Sequence, residues 1–204
     1  MTEEYLIPTA ELVFEEEIKR SRFISFLFHC DNPQQLKLVL TRVKELYPGA
    51  SHYCYAFVCG DPSDQVNMGS SDDGEPSGSA GRPMLACLQG SDVGEIGAVV
   101  VRYFGGTKLG VGGLVRAYSS GIKQALPQLQ TTLKTRMYPA TINCNYNQLA
   151  DVEYVINQCQ GVVLDKQFTE MVRVTFEVSK AQQLQFNQLL ATQTQGELQV
   201  KFTA

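Results

Sequence analysis

Tryptophan is absent from this chain, and histidine nearly so: His29 and His52 are the only two in 204 residues. With so little imidazole, and no Cys-x-x-Cys pair among the six cysteines, the spacings of structural zinc sites are excluded and a transition-metal enzyme is poorly supported. No apolar run approaches the ~20 residues needed to span a bilayer. Positive charge is also in deficit, with 17 Lys/Arg against 21 Asp/Glu and a net charge of −4. That argues against a non-specific nucleic-acid coat but leaves room for a local basic site, because the field near a patch is set by the patch. The start, MTEEYLIPTAEL, lacks the basic and apolar segments of a secretion signal. The expectation is a cytoplasmic protein with reduced cysteines, most of them lying in apolar runs as small hydrophobes.

What the chain does have is glycine, 17 residues of it, concentrated in two stretches. The first is SSDDGEPSGSAGRPML, residues 70–85, and the second is VVVRYFGGTKLGVGGLVRAY, residues 99–118. Glycine is entropically costly to order, so a dense cluster inside a folded domain marks sharp turns or close approach of the backbone to something else.

Periodicity and turn chemistry divide the chain into elements. Residues 11–30 read as a β-hairpin turning near Arg20 to Arg22 and ending in the apolar FISFLFHC. Asn32 and Pro33 then open a helix with Leu36, Val39, Leu40, Val43 and Leu46 along one stripe. His52 to Cys59 alternates as a strand, residues 60–81 read as a long loop, and residues 83–89 as a short helix. Ile96 to Phe104 reads as a central strand, and a helix from Val111 buries Leu114, Tyr118, Ile122 and Leu126. The polar QTTLKTRMYPA reads as a linker, placing domains at residues 1–134 and 139–204. The second part reads strand 140–146, helix 147–160, hairpin 162–178, helix 180–192 and strand 198–202, which is the ferredoxin-like βαββαβ order.

Two sets of residues carry candidate chemistry. In the second stretch, Gly105, Gly106, Gly110, Gly112 and Gly113 precede or open a helix, and Arg102, Lys108 and Arg116 are spaced along it. Unpaired N–H groups and the helix dipole favour an anion there. The spacing is neither a Walker motif nor GxGxxG, and a tight connection packing a helix on its sheet needs the same glycines, so both readings stand. In the first stretch Asp72, Asp73 and Glu75 could hold magnesium beside a bound phosphate, or simply form a solvated acidic loop. His52 and Cys54 share a strand face, where a core histidine beside a core cysteine is the simpler reading. No residue stands out as catalytic, and no cofactor is expected beyond that conditional magnesium.

The two stretches resemble the signature of the IMPACT family. Asp72, Asp73, Gly74, Glu75, Pro76, Gly81, Arg82 and Pro83 fill its first motif. Arg102, Tyr103, Gly105, Gly106, Lys108, Leu109, Gly110, Gly113, Arg116, Ala117 and Tyr118 fill its second. The resemblance implies an α+β chain: an N-terminal two-layer α/β sandwich like a ribosomal-protein domain, followed by the ferredoxin-like domain. It further implies a cytosolic nucleic-acid- or ribosome-binding protein in the regulation of translation, with RNA, the ribosome or a protein of the translation machinery as partner. The alternative is an enzyme that binds a nucleotide or phosphorylated small molecule at the glycine loop. No membrane partner is expected.

Overall fold

The computed structural model describes residues 3–63 and 65–202; Met1, Thr2, Asp64, Thr203 and Ala204 lie outside the described residues. Tertiary contacts divide the α+β chain into two units, residues 1–134 and 135–204.

The first unit runs β1 (Glu4–Pro8), β2 (Leu12–Ile18), β3 (Ser21–His29), α1 (Pro33–Leu46), β4 (His52–Val58), β5 (Met68–Ser71), α2 (Gly81–Gln89), β6 (Ile96–Tyr103), α3 (Val111–Ala125) and β7 (Thr131–Thr135). Its main sheet has the order β2-β3-β6-β4-β5 and is antiparallel throughout. The apolar run in β6 takes the centre because such a strand must be covered on both faces. Ile96, Ala98 and Val100 pack with Met84 and Leu88 of α2 and with Leu114, Tyr118 and Ile122 of α3. Val99 and Val101 turn the other way, toward Leu36, Val39 and Val43 of α1.

Local chemistry accounts for several boundaries. Lys19 and Arg20 both take left-handed backbone, at φ 49° and 65°, which is the geometry of a two-residue hairpin turn matched to strand twist. The Asn32 side chain accepts the Gln35 N–H at 3.0 Å and Pro33 opens α1, as the sequence predicts.

Two segments read as loop or linker are strands. Residues 68–71 form β5 against Tyr55 to Val58 of β4, and Thr131–Thr135 forms β7 against β1. Both are short and carry little apolar alternation, so pairing with a neighbour, and no periodicity of their own, makes them strands.

The second unit runs β8 (Met137–Cys144), α4 (Leu149–Gln158), β9 (Val162–Phe168), β10 (Val172–Ser179) and α5 (Gln183–Gln193), with strand order β8-β10-β9. Its core joins Val174, Phe176 and Val178 to Val155, Ile156, Phe186 and Leu190, with Phe176 stacked on Phe186 at 4.9 Å between ring centroids. The expected last strand at residues 198–202 does not pair with the sheet. The Asn187 amide takes over the role of a ladder partner: its Nδ2 donates to the Val200 carbonyl, and its Oδ1 accepts the Val200 N–H, both at 2.9 Å.

Candidate nucleic-acid interface

The two glycine-rich stretches meet at a buried ion pair. Arg102 lies on β6 opposite His52 of β4 and Phe23 of β3. Its Nη1 donates to Glu75 Oε1 at 2.6 Å, and the Tyr118 hydroxyl donates to the same oxygen at 2.8 Å. Arg102 is 5% exposed and Glu75 8%. Burying two charges is tolerable only when each is paired and further hydrogen-bonded, which this arrangement supplies. The guanidinium carbon also lies over two rings, 5.5 Å from the centroid of Phe23 and 5.6 Å from that of Phe104.

His52 and Cys54 border this pair. His52 Nδ1 lies 2.8 Å from the Asp73 carbonyl, which makes Nδ1 the donor and turns Nε2 toward Glu75 Oε2 at 3.8 Å. The Cys54 thiol donates to the Asp72 carbonyl at 3.0 Å, and burial pushes its pKa up to about 12. Burial, with the neighbouring thiol and carboxylate, also pushes the Tyr118 phenol upward.

The three carboxylates of the first stretch go three ways. Asp72 Oδ1 accepts from the N–H groups of Ala80 at 3.0 Å and Gly81 at 2.8 Å, and its Oδ2 from Gly78 at 2.8 Å. It therefore caps the start of α2, a helix whose own N-cap, Ala80, has no side-chain acceptor. Burial alone would raise this carboxyl; the three backbone donors outweigh it and hold Asp72 below its ordinary value. Asp73 Oδ2 accepts the Tyr53 N–H at 2.7 Å, while Glu75 faces Arg102. Among the described residues, no three His, Cys, Asp or Glu side chains are grouped to hold a metal ion.

Beyond Arg102 the chain enters the loop that opens α3. A Cβ on Gly105 would lie 1.9 Å from the Arg20 carbonyl oxygen, so only glycine lets the loop pass the β2–β3 turn. Gly110 is the N-cap, at φ 73°; no side chain caps the helix and no acidic residue lies in its first turn. Its first N–H groups are thus left for an outside acceptor. Lys108 and Arg116 are exposed, and neither makes an ion pair among the described residues. Arg116 Nε donates to the Gly112 carbonyl at 3.3 Å, folding the guanidinium back over the first turn. A groove of about 420 Å³ lined by Arg116, Ser119, Ser120 and Lys123 continues along the helix.

Of the residues singled out in the sequence, Lys108, Arg116, Gly106, Gly110 and Gly112 are therefore exposed around one helix start. Gly105 and Gly113 are half-buried, Gly113 against Leu109. Arg102 points inward to Glu75, and Asp72, Asp73 and Glu75 form no common site. The sequence pattern places Tyr118 in an apolar stripe and in the family motif without showing its hydroxyl partner. It carries no signal for Phe104 or for Ser21, whose Oγ accepts from Arg102 Nη2 at 3.4 Å. A buried tyrosine needs a partner for its hydroxyl, and that rule was the available signal for Tyr118.

Fold and loop together define a protein of two α+β units, the first carrying a basic, glycine-rich helix start. The Impact N-terminal domain family matches residues 19–126, and a domain of unknown function, DUF1949, matches residues 142–197. The chain belongs to the IMPACT family. It is 46% identical over 198 residues to the Escherichia coli (strain K12) protein described as IMPACT family member YigZ, covering 97% of each chain. It is 41% identical over 198 residues to an IMPACT family member of Haemophilus influenzae, covering 97% of this chain and 96% of that one. It also resembles the crystal structure of a hypothetical protein, with a TM-score of 0.88 at 43% identity over 100% of this chain and 99% of the other.

Proposed function

We propose that this protein is a cytosolic RNA- or ribosome-binding factor in the regulation of translation, and that the loop opening α3 seats a phosphate of its partner. The observation that carries this reading is Gly112. Gly105 and Gly113 have neighbours that a side chain would strike, and Gly106 and Gly110 have left-handed backbone. Gly112 has neither reason: it lies in the first turn of α3, and the Arg116 Nη2 at 4.0 Å is the one atom near its missing Cβ. A glycine in a helix interior costs roughly 0.5–1 kcal/mol relative to alanine, and one in the first turn a part of that. A group from outside the chain that must approach the backbone gives that cost a purpose. Lys108 and Arg116 flank the same turn and supply the charge; Arg102, clamped by Glu75, supports the loop from below.

Among the described residues no helix is long and apolar enough to cross a membrane. The test is co-sedimentation with purified ribosomes, and filter binding of ribosomal RNA, across a salt series. Neutralising Lys108 and Arg116 together should lower the log–log salt slope by roughly 1.5. Gly112→Ala should weaken binding while leaving thermal stability unchanged or raised. Binding that ignores salt and all three substitutions would sink the reading.

A further inference from the structure

Phe104 stands at the junction of the buried pair and the exposed loop, and its two faces meet different surroundings. One face covers the Arg102 guanidinium, whose carbon lies 5.6 Å from the ring centroid. The residue as a whole remains 50% exposed. Its backbone is anchored, the Phe104 N–H donating to Ser51 Oγ at 3.2 Å, and the next N–H, of Gly105, donating to Ser21 Oγ at 3.2 Å. Arg102 Nε is buried and makes no hydrogen bond among the described residues, so the two rings in contact with the guanidinium are part of what holds that cation. The result is a half-exposed aromatic residue on an anchored backbone, its ring against a guanidinium and followed at once by the basic loop.

We propose that the outer face of Phe104 is a stacking platform for an unpaired nucleobase, so that the site takes single-stranded RNA in preference to duplex. The proposal rests on the phosphate-binding reading of the loop. Every base has a π-face, so an aromatic ring beside a cationic backbone-binding element is the recurring arrangement for single strands. In a duplex the base faces are stacked on one another and unavailable. Seven residue steps separate Phe104 from Val111, a span of at most about 25 Å. A stacked strand advances about 3.4 Å per nucleotide, so a short segment reaches both the ring and the helix start. If the ring served only to cover Arg102, its replacement would lower thermal stability and weaken single-strand and duplex binding alike, and this separates the two roles.

The experiment is fluorescence anisotropy with a labelled oligoadenylate of about ten nucleotides and a blunt RNA duplex of the same length, each across a salt series. Thermal melting of every variant checks that it folds. Phe104→Ala and Phe104→Leu should weaken single-strand binding roughly five- to a hundredfold without changing the salt slope. Phe104→Trp should bind like the natural protein, and the duplex should bind more weakly and be indifferent to position 104. Leucine binding as well as phenylalanine, or duplex binding as tightly as single strand, overturns the stacking platform. The phosphate reading then survives if Lys108→Ala/Arg116→Ala still lowers the slope. No binding of either RNA at low salt overturns the platform; the phosphate reading falls with it if ribosomes are not bound either, and stands on the ribosome if they are.

Discussion

Arg102 and Glu75, 27 positions apart in the chain, meet at 2.6 Å beneath the loop that opens α3. The contact joins the two glycine-rich stretches into one structure, because Glu75 belongs to the first and Arg102 to the second. Tyr118, two turns into α3, donates to the same Glu75 oxygen, so the helix behind the loop is tied to the pair as well.

Removing one member should therefore be costly. Glu75→Ala leaves a buried guanidinium with no counter-charge, an expected loss of about 3–5 kcal/mol in urea unfolding. Glu75→Gln keeps an acceptor for Tyr118 and should cost less. Pairing Glu75→Gln with Arg102→Met should recover part of the loss, since the uncompensated charge is gone. A Glu75→Ala loss under about 1 kcal/mol would show that the pair does not hold the loop.

Asp72 should make stability fall in acid. Its folded carboxyl lies below the ordinary 3.8, so its contribution is fully present above that value and is lost as pH falls through the folded pKa. Asp72→Ala should cost about 1–2 kcal/mol at neutral pH, as for a lost helix cap. The gap between variant and natural protein should close as the pH drops below the ordinary carboxylate range. Glu95 carries a similar acid-sensitive contribution: burial would raise it, but Lys134, His29 and Tyr5 hold it down. It is present in both proteins, so it cancels from the difference. A gap that stays constant down to the acid limit would count against the cap.

The hairpin turn offers a gain. Lys19 and Arg20 both adopt left-handed backbone that Asn-Gly accepts more readily. Lys19→Asn/Arg20→Gly should stabilise the protein by about 0.5–1 kcal/mol, a rise in Tm of roughly 1–4 °C by calorimetry. An unchanged or lower Tm would mean that the turn is not strained by its natural residues.

Cysteine reactivity should be confined to one position. The six cysteines are all thiols; five are buried and Cys87 is half-exposed. Burial pushes the Cys30 and Cys54 thiols up to about 12, which further suppresses their thiolates. A maleimide should label one equivalent quickly, and Cys87→Ala should abolish that phase. Fast labelling of a second thiol in the native protein would contradict this packing.

Much of the local structure was legible from residue order. Asn32-Pro33 and the stripe of Leu36, Val39 and Val43 specify α1, and the uninterrupted apolar run makes β6 central, because caps and periodicity act over a few residues. β5 and β7 were not legible, since each becomes a strand only by pairing with β4 or β1. The strand expected at residues 198–202 failed for the converse reason. A side chain on α5, Asn187, supplies the hydrogen bonds that a neighbouring strand would have made.

The candidate site divides along the same line. That a glycine-rich, basic loop leads into a helix after an apolar strand follows from the order of residues alone, as does the membership that its motifs signal. Which of its charges faces outward was decided by tertiary structure. Arg102, Lys108 and Arg116 look alike in sequence, yet Arg102 falls on the strand face that packs under α2 and α3 and finds Glu75 there, while the other two stay in solvent. Asp72 and Glu75 likewise look like one acidic cluster until the fold sends one to cap α2 and the other to Arg102. The sequence by itself determined the helices and the long apolar strands, because backbone propensity and capping are local. Charge partnership depends on groups brought together from distant positions, and only the folded chain could choose between ion pair, helix cap and open surface.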